Sequence, residues 1–472
     1  MREKELAYKS ATELLELYRT KMVSPVEVTK SILDRIDRYN ELFKAYRMVD
    51  HEGALEKARA SEERWMKNES VGLLDGIPTS IKDCHPVKGW NCLHGSLLRS
   101  PSFIEPEDFP YVARLREHGA VFLGMTNLCE EGWKCVGDSP LHGISRNPWN
   151  TDLTPGASSA GAAIATAAGL GAINMGGDGG GSIRFPASFC GVVGLKATYG
   201  RVPRTQESLL EIAHHGPLTR TVTDTALAMN VICRPDPRAL TALEYDGRDY
   251  LDGLDQGIRG LRIGYCDEFG SKVPLDEEIA RKVRDAAYML AQQGAIVEEV
   301  NPGLGETFEA YKVLNSAYQV HKIRGKSPEQ IAKMDPALVA NARFGETLTS
   351  EDLLEAGYER AKWIEKMTYF FRSYDLLITP TAPVVAYEVG RNNPLHVAEK
   401  FGEQDQVYTL VNNYLYPFNY THNPAISVPC GLNKDGLPIG LQIVGAFGDD
   451  YRVLVAARAM EMLNPFPELP QI

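Results

Sequence analysis

Residues 154–200 read TPGASSAGAAIATAAGLGAINMGGDGGGSIRFPASFCGVVGLKATYG. Two serines stand there among small neighbours: Ser158 in Gly156-Ala157-Ser158-Ser159-Ala160-Gly161, and Ser182 directly after Gly179-Gly180-Gly181. Three residues without Cβ atoms let several backbone N–H groups converge beside the following hydroxyl. One nucleophile with backbone donors for a developing oxyanion is what acyl transfer requires. Residues 160–175, rich in Ala and Gly, fall short of the ~20 apolar residues of a membrane span. They predict a buried helix whose positive amino end points near Ser158.

A serine hydroxyl needs a base, and no histidine sits in a triad context: His85, His94, His118, His142, His214 and His215 are scattered. The local candidate is Lys82, in Gly76-Ile77-Pro78-Thr79-Ser80-Ile81-Lys82-Asp83. Ile77 and Ile81 predict a buried strand. Burial disfavours the ammonium and frees the neutral amine to act as a base.

These segments resemble the amidase signature family. The resemblance rests on Gly-Ile-Pro-x-x-x-Lys-Asp, the paired serines, Gly-Gly-Ser-Ile-Arg and Cys190-Gly191-Val192-Val193-Gly194-Leu195-Lys196. It continues through Gly216-Pro217-Leu218-Thr219-Arg220, Asp375-Leu376-Leu377-Ile378-Thr379-Pro380-Thr381, Asn423-Pro424-Ala425-Ile426 and Gly436-Leu437-Pro438-Ile439-Gly440-Leu441-Gln442. Nearly the whole chain is covered in order, which is far more specific than a lone glycine motif. The resemblance implies Ser182 as nucleophile, Lys82 as general base, and Ser158 as the serine that relays the proton and follows a cis peptide. It also implies an oxyanion hole from the N–H groups of Gly179, Gly180, Gly181 and Ser182. Asp178 and Arg184 would support that loop, and Glu131-Gly132-Trp133 would line the substrate pocket. An alternative for Trp133 is packing in the core, with Glu131 facing water.

Some positions depart from the family pattern. Gly177 and Gly179 stand where threonines often flank the aspartate, Glu130-Glu131 where Glu-Phe is common, and His422 in place of the glycine of Thr-Gly-Asn-Pro. Gly179 is expected to leave extra room beside the oxyanion hole. None of these changes removes a catalytic group.

The implied fold is α/β: one large domain, 1–472, with a central mixed twisted sheet flanked by helices. Its parts are a helical start (1–70), the catalytic core (71–235), a helix-rich part covering the substrate (236–374) and a return to the core (375–472). Ser24-Pro25-Val26-Glu27 predicts a capped helix with Val28, Ile32 and Ile36 on one face. Residues 261–265 and 295–297 predict strands around a helix near 279–293, and 306–374 predicts helices whose aromatics are mostly core.

The net charge of −12 disfavours nucleic acid as a partner. Eight cysteines without a C-x-x-C pair predict reduced thiols and a cytoplasmic protein. Cys84, Cys92 and His94 are too irregular, and lack a fourth ligand, for a zinc site. A charged start without an apolar run predicts no secretory signal. No Gly-Lys-Ser/Thr follows the glycines, which argues against a phosphate cradle. The expected activity is therefore hydrolysis of a small-molecule amide through an acyl-enzyme, with carbamates and esters as plausible substrates. Neither cofactor nor metal is expected, no membrane is involved, and a homodimer stays open. The alternatives are an inactive binding relative and a glutamine-hydrolysing component of an amidotransferase complex.

Overall fold

The apolar run around Lys82 is a strand inside a large sheet. In the computed structural model, which describes residues 3–205, 210–268, 273–402, 408–470 and 472, the first strands are β1 (Tyr46–Val49), β2 (Pro78–Lys82), β3 (Val121–Thr126), β4 (Asp138–Ser139) and β5 (Gly143–Ile144). There follow β6 (Ile173–Asp178), β7 (Val193–Lys196), β8 (His214–Thr219), β9 (Arg262–Tyr265) and β10 (Ile296–Glu299). The last are β11 (Leu376–Pro380), β12 (Ala425–Leu432) and β13 (Pro438–Gly445). Among the described residues eleven strands form one mixed sheet in the order β1-β3-β2-β6-β8-β7-β12-β13-β11-β9-β10, while β4 and β5 pair separately.

Strand direction decides where the site falls. β2 runs parallel to both neighbours, Lys82 opposite Thr126 of β3 and Ser80 opposite Asn174 of β6. β8 runs antiparallel to β6, so that Gly177 faces His215 and Asp178 faces His214. The carboxyl ends of β2, β3 and β6 and the amino end of β8 thus share one rim. In open α/β sheets ligands bind outside the carboxyl ends of the strands.

The helix Pro25–Phe43 starts at the predicted capping box, with Ser24 and Glu27 satisfying each other's backbone, and buries Val28, Ile32 and Ile36. The helix before it, Ala11–Arg19, docks its amino end on Asp224, whose carboxylate accepts from the N–H of Ala11 at 2.8 Å and Thr12 at 3.0 Å. The positive end of the helix meets a negative charge there. The helix Glu277–Met289 and the 3-10 turn Leu290–Gln293 lie between β9 and β10. Residues 306–374 form the helices Phe308–Ile323, Pro336–Gly345 and Ser350–Phe370, the last capped by Thr349 and Asp352. Of their aromatics, Tyr311 and Trp363 are buried, but Tyr358 and Tyr369 are exposed.

One expectation is corrected. Residues 160–175 are not a single helix: the helix Ala160–Ala167 ends early, Gly169 turns the chain at φ 66°, and Ile173, Asn174 and Met175 enter β6. Pairing with β2 and β8 overrides the helix propensity of an Ala-rich run. Among the described residues no helix is long and apolar enough to cross a membrane.

Candidate active site

Lys82 is the last residue of β2 and is buried. Its Nζ lies 2.8 Å from Ser158 Oγ, 2.9 Å from Ser159 Oγ and 3.2 Å from the Gly177 carbonyl oxygen. The Ser159 hydroxyl donates to Gly177 O at 3.1 Å and accepts from the Gly177 N–H at 3.3 Å, which leaves a lone pair to Nζ. A neutral amine has two N–H bonds and one lone pair. Ser159 and Gly177 can take the two N–H bonds, and the lone pair then faces the Ser158 hydroxyl. Burial lowers the Lys82 pKa, with nearby acidic groups only partly opposing it. The Ala157–Ser158 peptide is cis, as the resemblance implies.

Ser182 lies on the loop that leaves β6. The Ser159 N–H donates to Ser182 O at 3.0 Å, joining the two serine segments. Asp178 and Arg184 hold the loop by a two-bond pair, Nε to Oδ2 at 3.0 Å and Nη2 to Oδ1 at 3.0 Å, with neither side chain exposed. Burial alone would raise the Asp178 carboxyl, but the Arg184 guanidinium outweighs it and holds the group well below the usual carboxylate range. Arg184 is braced in turn by Gln442 Oε1 at 2.7 Å and Asn419 Oδ1 at 2.7 Å.

The structure revises the expected set of oxyanion donors. The Gly181 N–H is already given to Asp178 Oδ1 at 2.7 Å. Gly179, Gly180 and Ser182 keep backbone donors with no partner among the described residues. A Cβ added at Gly179 would meet no atom within 4 Å, so this position does open space beside the loop. A Cβ at Gly177 would come within 3.0 Å of His85 Nε2: the imidazole occupies the ground a side chain there would need.

One pocket of ≈ 310 Å³ is lined by Lys82, Ser158, Gly179, Gly180 and Ser182 together with Glu131, Gly132 and Trp133. In this arrangement the Ser158 hydroxyl is bonded to Lys82 rather than to Ser182. Gly132 has φ 67°, and a Cβ there would lie 3.3 Å from Ser158 Oγ. Glycine therefore answers both the left-handed backbone and the close approach. Glu131 does not simply face water: Arg99 grips it with two bonds of 3.0 and 3.1 Å, and His94 Nδ1 is 3.5 Å away. Trp133 touches the pocket and also packs on Ile323, Met334 and Leu338, so both sequence readings describe part of its surroundings.

Sequence reasoning missed the other wall. His85, His214 and His215 line the pocket, as do Arg204, Gln319 and Asn412. The histidines carried a signal: they adjoin Gly216-Pro217-Leu218-Thr219 on one strand and Lys82 on another. His215 stands edge-on to His85 at 4.7 Å, and burial holds both well below the usual imidazole pKa. His422 has φ 66°, in the left-handed region that favours the glycine the family carries there; its ring stacks on Tyr199 at 4.5 Å.

Comparison with known proteins agrees along nearly the whole chain. The family model described as Amidase matches residues 27–454. The A-type chain of the glutamyl-tRNA(Gln) amidotransferase of Alkaliphilus metalliredigens is 34% identical, with 96% of each chain covered. An acylamidase of Rhodococcus erythropolis is 31% identical, covering 99% of this chain and 98% of its own. The crystal structure of a bacterial aryl acylamidase superposes with a TM-score of 0.87 at 30% identity, covering 97% of this chain and 96% of that one. An α/β sheet with a buried lysine, a cis-preceded serine and a glycine-flanked serine on one rim agrees with these likenesses: the chain belongs to the amidase signature family and is an amide hydrolase.

Proposed function

We propose that the chain acts on its own to hydrolyse the C–N bond of a small-molecule amide, through Ser182, Ser158 and Lys82. The observation that carries the reading is the partner set of Lys82, which suits a neutral amine facing the Ser158 hydroxyl. Ser182 Oγ attacks the carbonyl carbon. Its proton passes to Ser158, whose own proton moves to Lys82 Nζ. Backbone N–H groups of Gly179, Gly180 and Ser182 stabilise the oxyanion. Ser158 then protonates the leaving nitrogen and recovers a proton from Lys82, leaving an acyl ester on Ser182. Water attacks that ester by the same relay and releases the acid. Carbamates and esters present the same planar carbonyl and fall within the reading. A cytoplasmic location is part of the proposal, supported by cysteines that are all unpaired.

A second reading follows from the 34% identity to an amidotransferase chain: here glutamine would be the amide and a partner chain would use the ammonia. One experiment separates the two. The purified chain is assayed alone on glutamine, aliphatic amides, anilides, carbamates and esters. Turnover of non-glutamine amides without a partner supports the first reading, whereas activity on glutamine alone, or only with a second chain, supports the other. The kcat/KM should rise with pH as Lys82 loses its proton, and a profile that declines steadily from about pH 6 to 9 in folded protein contradicts the lysine base.

A further inference from the structure

The charges lining the pocket are unevenly matched. Asp178 is committed to Arg184, and Glu131 to Arg99. Lys134 is held by Asp138 at 2.8 Å and Asp335 at 2.6 Å. Arg204 is buried, lines the same pocket, and has no carboxylate partner among the described residues. Its Nη1 donates to the Ala213 carbonyl at 3.2 Å. Its Nε is covered and unpartnered, and Nη2 makes no hydrogen bond among the described residues.

Nε and Nη2 form one edge of the guanidinium fork, the edge that matches the two oxygens of a carboxylate. This chain uses that edge repeatedly. Arg64 presents it to Asp75, Arg99 to Glu131, and Arg184 to Asp178. Among the described residues nothing accepts from that edge of Arg204. A guanidinium stays charged at any working pH and is costly to bury unpaired. The Arg204 charge is felt at His215, His85 and Tyr318, and among the described residues neither ring nitrogen of His215 has a hydrogen-bond partner. Ala213 precedes His214, which faces Asp178 across β8 and β6, four residues before Ser182.

We propose that the amide taken by this pocket carries a carboxylate, gripped side-on by Nε and Nη2 of Arg204. This rests on the hydrolase reading above and narrows it to one substrate class: amides with an acidic group in the acyl or the amine half. Nε is covered, so a carboxylate that meets Nη2 gains the second bond only when the guanidinium turns.

The test uses matched pairs. Succinamate, glutaramate and adipamate carry the acid in the acyl half; N-acylglycines carry it in the amine half. Each is compared with its neutral counterpart of equal length. In at least one series kcat/KM exceeds that of the neutral amide by about 10-fold or more, the scale of a charged hydrogen-bonded pair. Arg204→Gln removes most of that ratio and Arg204→Lys restores part of it. Neutral amides turned over as well as every charged member, or a ratio that survives Arg204→Gln, overturns the proposal. A binding arm keeps this separate from catalysis. Succinate, glutarate and adipate are titrated calorimetrically into the wild-type chain and into Arg204→Gln. Weakening by about 10-fold or more on substitution supports the grip even if no amide is hydrolysed, in which case the hydrolase reading fails alone. Equal affinity for the two chains, or no binding to either, counts against Arg204 whatever the turnover.

Discussion

The wall of the pocket that carries Lys82, Ser158 and Asp178 and the wall that carries Arg204, His215, Gln319 and Asn412 treat buried polar atoms in opposite ways. On the first, Nζ of Lys82 has three partners, and the Asp178 carboxylate accepts from Arg184, Asn419 and the N–H groups of Gly181 and Ile183. On the second, Arg204 Nε, both nitrogens of His215, Gln319 Oε1 and Asn412 Oδ1 have none among the described residues, and Trp133 Nε1, on the same pocket, is alike. A buried polar atom left unpaired costs ~1–3 kcal/mol. The contrast separates a wall whose polar atoms are bonded within the protein from a wall where several are not.

The contrast can be broken at its most demanding point first. Replacing Ser182, Lys82 or Ser158 by alanine should lower kcat by roughly 10³-fold or more, and double replacements should cost little beyond the worse single one. Near wild-type turnover by Ser182→Ala, in protein free of host amidase, would remove the catalytic meaning of the first wall. Next, Arg184→Met leaves the Asp178 charge uncompensated in the interior. Its expected cost is ~3–5 kcal/mol of stability by denaturant titration. A loss below ~1 kcal/mol would mean the loop does not depend on that pair as its bonding implies.

Trp133 touches the pocket and packs in the core, so Trp133→Ala tests which of the two it serves. Loss of its packing on Ile323, Met334 and Leu338 should cost ~3 kcal/mol, the low end for a buried aromatic. The ranking of small against aryl amides should shift as well. An unchanged ranking with a large fall in Tm would assign it to the core alone. The gentlest test is acid. Burial holds His85, His214 and His215 well below their ordinary pKa. Below pH ~6.5 the unfolded chain therefore binds protons that the folded chain refuses, so stability is level above that pH and falls beneath it. The slope is at most ~1.4 kcal/mol per pH unit for each histidine. Urea midpoints at pH 7.5 and 5.5 measure it; an equal or higher midpoint at pH 5.5 means these rings are charged in the folded protein, and the second wall is then a cationic cluster.

The first wall was legible in the sequence because its residues announce themselves locally. Glycines precede Ser182, small residues surround Ser158, and isoleucines flank Lys82. What escaped is what only pairing decides. The Gly181 N–H looks like an oxyanion donor until Asp178 is seen to accept it. Residues 160–175 read as helix because the sheet that captures 173–175 is assembled from β2 and β8, distant in sequence. Arg204 escaped for the same reason: what it pairs with, and which of its nitrogens have no partner among the described residues, is set by folding and not by its neighbours in sequence.

The strand order also bears on how the molecule comes to exist. β12 and β13, made last, lie between β7 and β11. Until Gly445 has been synthesised, the sheet is two open fragments with bare hydrogen-bonding edges, β7 on one and β11 on the other. Such edges invite pairing with other chains. Asn419 and Gln442, which brace Arg184, arrive with that final piece. The loop that carries Ser182 therefore receives its brace only as the last strands close the sheet, and a nascent chain cannot finish this pocket before the danger of sticking to its neighbours has passed.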